Sequence, residues 1–579
     1  MKFKLLSVLL LAGITACAHI PTPKEGNEEP GELADQEEVS PQNLPKQELT
    51  APILFDFLVG ETALQRGNLD LAVSRYVKLA KTTRDPRLAK RASEIALHAG
   101  NPFAAEQSAT LWIELEPDST DALQTIAAIL VSLGKLDAAK PHLEKLLITE
   151  KDNVGPAFTQ LNQMLSRNPN KVAALQLIQH LAQPYKEVAE VHFAISQAAW
   201  FASQHELAQS EMQRALALRP DWEIAAIHNG RMLQRTSTDE ANEFYRNYLT
   251  QHPNANEVRV AYARALISSD HYDLARKQLE ELRGKNSDDA EIMLAVGLLA
   301  AEMGDFDVTE SSFRKALDLG YKDQSAVYFH LGQIYEETKR SDKAIEAYQM
   351  VKSGARYIPA QIRYADLLAL NGQVQQAREH LHKLPAANDQ QTAHLILAEV
   401  QILRRTKAHQ EVFKLLNDGL KKLPDYPDLL YDRALVADKL GKFNILEQDL
   451  RKLIKLKPDN AHAYNALGYS FAERGTHLSE ALKLIKKAVE LSPEDPYIID
   501  SLGWVHFRMG NLSEGLNYLN LAFSARPDPE IAAHLGEALW SKGAKDEAKN
   551  IWRSGLEKDP GNEILLETIQ RLTKKKTLD

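Results

Sequence analysis

From residue 53 onwards, apolar, small and turn-forming positions recur with a period of about 34 residues. Near the C-terminus Leu502-Gly503 is followed by Gly510, Leu519, Ala522 and Pro527, and Leu535-Gly536 by Gly543, Ala548, Trp552 and Pro560. Upstream, Tyr464, Leu467-Gly468, Gly475, Ala481, Ala488 and Pro493 repeat the pattern, as do Tyr328, Leu331-Gly332, Tyr335, Ala344 and Tyr348. A period of this length predicts a stack of small helical units rather than several independent domains. Each unit is read as a helix pair. Gly332, Gly468, Gly503 and Gly536 let the first helix approach the second closely, the glycine between them ends the first helix, and the proline after the second forces a turn.

On this spacing, units begin near residues 53, 86, 120, 155, 189, 222, 256, 290, 325, 358, 391, 427, 461, 496 and 529. The units at 155 and 391 match poorly. The positions resemble the tetratricopeptide repeat, whose consensus is W-x₂-L-G-x₂-Y, then A-x₃-F, then P. The resemblance implies an all-α superhelical solenoid of antiparallel helix pairs over residues 53–561. Residues 562–579 are expected to form a capping helix and a basic tail that covers the last apolar surface.

The first 52 residues depart from the repeat. MKFKLLSVLLLAGITAC has Lys2 and Lys4 ahead of an apolar run from Leu5 to about Ala12, too short to span a bilayer stably. Its ending, Ile14-Thr15-Ala16-Cys17, resembles a bacterial lipobox, which implies a signal peptide over residues 1–16 and an acylated Cys17 at the mature N-terminus. Ala18 after the cysteine, by resemblance to Gram-negative lipoproteins, implies an outer-membrane anchor facing the periplasm. Multiple acyl chains would anchor stably where one holds only marginally. Residues 17–52 are expected to be a disordered tether. Between 18 and 50 lie five prolines and eight carboxylates against only Lys24 and Lys46, with little apolar surface to offset ordering entropy. As a coil it would span roughly 30 Å.

The net charge of -10 supplies no global basic field for nucleic acid. Cys17 is the only cysteine, so neither an intramolecular disulfide nor a thiolate metal site can form. No metalloprotease, nucleophile-elbow or phosphate-loop motif occurs, and the chain is read as a non-enzyme without cofactor or metal. His192, His330, His462 and His534 fall on first-helix positions, where a packed or solvated histidine is expected. The basic run Arg451, Lys452, Lys455, Lys457 and the later Lys483, Lys486 and Lys487 fall mostly on second helices and read as a solvated outer face.

First-helix positions two, five, nine and twelve face the groove in the tetratricopeptide family. Here they hold an excess of aromatics, with Tyr469 and Trp504 ninth, Phe507 and Trp540 twelfth and Tyr497 second, beside Asn465, Asp500, Arg508 and Glu537. Aromatics ringed by polar groups are the composition of protein-binding hot spots, so these nine residues are the candidate site. Trp200, also twelfth in its unit, is a candidate second contact.

The C-terminal block NALGYSFAERGTHLSEALKLIKKAVELSPEDPYIIDSLGWVHFRMGNLSEGL, with ARPDPEIAAHLGEALWSKG beyond it, resembles large proteobacterial tetratricopeptide lipoproteins. Those proteins serve as adaptors for a periplasmic carboxyl-terminal processing protease. The resemblance implies a scaffold that binds and activates the protease and presents envelope substrates such as peptidoglycan hydrolases. An assembly scaffold for polysaccharide export, secretion or pilus machinery, or outer-membrane barrel insertion, is the alternative. A regulator or enzyme carrying a hidden active site is a third reading.

Overall fold

The structure is a computed structural model that describes residue 45, residues 47–285 and residues 288–575. The expected signal peptide, Cys17 and most of the expected tether therefore lie outside the described residues. Those residues contain thirty-one α-helices and one 3-10 turn, and no strand. The all-α helix-pair fold expected from the repeat is what the chain adopts. No helix among the described residues is long and apolar enough to cross a membrane.

Local chemistry sets the helix ends. Asn101, Asp305, Asn460, Asp495 and Asn562 each place a side-chain oxygen on an otherwise orphaned N–H of the following first turn. Pro496 and Pro529 open their helices, where a missing N–H costs nothing. Gly543 closes helix Pro529–Lys542 in the left-handed region, at a φ of 92°.

The close approach inferred for the eighth-position glycines is visible in what a side chain there would meet. A Cβ on Gly332 would lie 2.5 Å from the Tyr348 ring, and one on Gly536 would lie 2.0 Å from Nε1 of Trp552. Tyr348 and Trp552 are both fully buried. The large second-helix side chain thus fills the space that glycine leaves on the first.

The fold divides into two compact units between Tyr321 and Lys322, in the connection between helices Phe306–Asp318 and Gln324–Glu337. In the first unit one cluster of buried residues runs from Ala63 to Met232 and a second from Ala226 to Ala316. The second unit is built of shorter clusters, including Ala393–Val436, Ala434–Val505 and Leu516–Ile569. Both weak repeats form helices with local irregularities. Helix Val154–Ser166 is entered through the 3-10 turn Lys151–Asn153. Helix Asp389–Arg405 runs to 17 residues after the short helix Val374–Lys383.

Candidate protein-binding site

Three of the last helices of the second unit carry the candidate residues. Ala461–Arg474 holds Asn465 and Tyr469, Pro496–Arg508 holds Tyr497, Asp500, Trp504, Phe507 and Arg508, and Pro529–Lys542 holds Glu537 and Trp540. A fourth helix, Glu563–Thr573, closes the array. The first helices of successive pairs pack side by side, which brings positions one and two repeats apart into contact.

At the centre is His534. Its Nδ1 lies 2.7 Å from Oδ2 of Asp500 and its Nε2 lies 3.2 Å from the Tyr469 hydroxyl. The Trp504 ring stacks on the imidazole, with centroids 4.3 Å apart. Burial alone would disfavour charge on His534. The charge and hydrogen bond of Asp500, with the charges of Glu473 and Glu530, outweigh it and raise the imidazole above its ordinary value. As an imidazolium, His534 donates from both nitrogens. Burial, reinforced by the charges of Glu473, Asp500, Glu530 and Asp438, raises the Tyr469 phenol well above its usual value, so it stays protonated.

Around this centre Trp504 Nε1 donates to Glu473 at 2.8 Å. Arg508 donates to the backbone carbonyl of Glu473 at 2.7 Å while its guanidinium lies 5.5 Å from the Trp504 centroid. Phe507 extends the aromatic wall, 5.2 Å from Trp504. Tyr497 is exposed and donates its hydroxyl to Asp528 at 3.1 Å. Asn465 is half-buried, and its carbonyl oxygen has no hydrogen-bond partner.

Several residues expected as free contacts are committed within the chain. Asp500 and Trp504 retain only 5% and 3% exposure, because His534 draws both into the packing between neighbouring first helices. Glu537 forms a two-pronged ion pair with Arg571 of the closing helix, so that groove position serves the cap. Trp540 lies half-buried against Trp552, centroids 5.5 Å apart, with Lys545 over its ring. It forms a second layer over the core ring beneath Gly536. What remains accessible is Tyr497, the edges of Tyr469, Phe507 and Arg508, and the carboxylates of Glu473 and Glu530.

His534, Glu473 and Glu530 were missed as members of the site. Tyr469 with Glu473, and Glu530 with His534, are both i,i+4 pairs on one helix face, which is the signal that could have found them. The arrangement does not suit acid–base chemistry. His534 is buried and both its nitrogens are occupied, leaving no atom open to a substrate. Among the described residues no group of three or more His, Cys, Asp or Glu could hold a metal ion. Trp200 of the first unit packs on His205 at 4.6 Å, with Arg235 across its face. The basic run is an outer face balanced by ion pairs, with Arg451 on Glu447 and Glu480, Lys452 on Asp425 and Lys487 on Glu490.

The chain is similar to known repeat proteins. Two family models, each described as tetratricopeptide repeat, match residues 232–297, and residues 294–357 and 414–496. The TPR repeat-containing protein PA4667 of Pseudomonas aeruginosa is 32% identical over 520 residues, covering 90% of this chain and 88% of that protein. Cellulose synthase operon protein C of Komagataeibacter xylinus is 25% identical over 331 residues, covering 51% of this chain and 25% of that protein. Among solved structures, a thermophilic TPR protein of Thermus thermophilus is 23% identical, with a TM-score of 0.28 over 32% of this chain and 98% of its own. With the glycine-for-ring exchange repeated between its paired helices and a relative of this identity over nine-tenths of its length, the chain belongs to the tetratricopeptide repeat family, a scaffold that mediates contacts between proteins.

Proposed function

We propose that the chain is a noncatalytic, lipid-anchored scaffold at the outer membrane, facing the periplasm. It binds and activates a periplasmic carboxyl-terminal processing protease and presents envelope substrates such as peptidoglycan hydrolases to it. The observation that carries the scaffold reading is the acidic, aromatic face that three consecutive repeats build around His534, where Tyr497, Glu473 and Glu530 stay accessible. The lipobox-like ITAC ending at Cys17 supports the anchor, and the C-terminal block supports the protease as partner. Holding enzyme and substrate on one chain raises their effective concentration without chemistry of its own. The similarity to a cellulose synthase operon protein favours a second reading, an assembly scaffold for polysaccharide export.

The test is recovery of partners from native envelopes after gentle crosslinking. The bait is the full-length chain and a Tyr497→Ala variant, an exposed change outside the buried cluster. A processing protease retained by the native chain and lost with the variant is the expected result. Export or barrel-assembly components without a protease would refute the adaptor reading.

A further inference from the structure

The first unit contains a cavity of about 550 Å³ where the repeat is least regular. That volume falls within the roughly 300–1,000 Å³ of ordinary ligand pockets. It lies between helices Thr120–Ser132, Leu136–Thr149 and Val154–Ser166. The turn into the last of these, set by a proline in many other repeats, is here the 3-10 segment Lys151–Asn153. Ile129, Leu143, Leu147, Leu161 and Met164 form the walls, and the exposed Ala128 and Pro156 lie on the rim. Three uncharged amides, Gln124, Asn153 and Gln160, share that rim with Glu150. The Glu150 carboxylate makes neither a hydrogen bond nor an ion pair among the described residues.

We propose that this cavity binds an extended peptide segment in which bulky apolar side chains stand next to a lysine or arginine. The walls remove aliphatic and aromatic side chains from water. Each rim amide supplies both donors and an acceptor, matching the one donor and one acceptor that every peptide unit brings. Glu150 supplies the charge complement to the basic side chain. A fatty acid fits the same volume worse, because its carboxylate would face that of Glu150 across an apolar wall. Met164, unbranched and polarizable, lets the pocket accept more than one apolar side chain. This site is separate from the His534 cluster.

The experiment is methyl NMR on the full-length chain labelled at Ile, Leu and Met methyl groups. It is titrated with acetyl-Leu-Phe-Lys-amide, with acetyl-Leu-Phe-Glu-amide, and with decanoate. Saturable shifts at Ile129, Leu143, Leu161 and Met164 are expected with the lysine peptide, with an affinity at least ten-fold lower for the glutamate peptide. Ala128→Trp, at an exposed rim position, should abolish those shifts while leaving methyl signals elsewhere in place. Glu150→Gln should remove the preference for lysine over glutamate. The proposal is overturned by an absence of saturable shifts, by shifts that survive Ala128→Trp, by equal affinity for the two peptides, or by decanoate binding more tightly than the lysine peptide.

Discussion

Replacing Gly536 by alanine tests the packing logic of the whole array at one atom. The new Cβ would sit 2.0 Å from Nε1 of Trp552 and 2.5 Å from Cδ1 and Cε2 of the same ring. Trp552 has little room to swing away, because it is fully buried and packed beside Trp540. The helices must therefore separate, and overpacking of this kind costs about 1–3 kcal/mol. Alanine returns about 1 kcal/mol through its better helix propensity, so a clash at the upper end leaves a net loss of about 2 kcal/mol. Gly284 is the control. It is also helical, at an ordinary φ, and no described residue lies within 4 Å of a Cβ built there, so Gly284→Ala should be neutral or stabilising by up to about 1 kcal/mol. Urea denaturation gives the sign. Hydrogen exchange of helices Pro529–Lys542 and Lys545–Lys558 shows whether the loss is local. Trp552→Leu in the Gly536→Ala background should recover part of it, a coupling that appears only if the two side chains compete for one space. A Gly536→Ala chain as stable as the parent would refute the reasoning.

Two further tests probe buried charge. Arg433 grips Asp449 with two hydrogen bonds of 2.7 Å, and the Asp449 side chain is only 2% exposed. Arg433→Ala should cost about 3–5 kcal/mol by stranding that carboxylate, while Arg433→Met with Asp449→Leu should be near neutral in the same urea assay. The histidines His228 and His534 should respond to pH in opposite directions. Burial, helped by the charge of Arg231, pushes His228 down to about 4. Its contribution is complete above pH 6.5 and is lost as pH falls toward 4, up to about 3 kcal/mol. His534 is raised, so its contribution is complete below pH 6.5 and is lost as pH rises through the folded value. Hydrogen exchange resolved by segment should show the surroundings of His228 weakening in acid and helix Pro529–Lys542 weakening toward alkaline pH. His228→Gln and His534→Gln should each flatten one limb, and an unchanged profile in either variant would refute its assignment.

The fold class was legible because the repeat is enforced by local sterics. A glycine facing a large ring, as Gly332 faces Tyr348, leaves a mark in sequence at fixed spacing. The candidate site was less legible, since its decisive contacts run between repeats, and the period sets those positions side by side without saying which of them bond. Tyr469 and His534 are 65 residues apart, and Glu537 meets Arg571 across 34. Counting positions placed Trp540 on the groove side, but the end of the array changes what a twelfth-position ring touches, and Trp552 claims it. The cavity wall at Leu161 had a sequence signal, the poor match at the unit near 155, but mismatch alone carries no volume.

The bond from Tyr469 to His534 passes over a whole repeat, joining the pairs that begin at 461 and 529. In a linear array whose units touch only their neighbours, terminal units peel away one at a time and stability is close to a sum of adjacent terms. A link to the second neighbour breaks that rule. The last three helix pairs gain a shared cooperative unit, so the C-terminal end should open as one block, in a single step steeper than fraying would give.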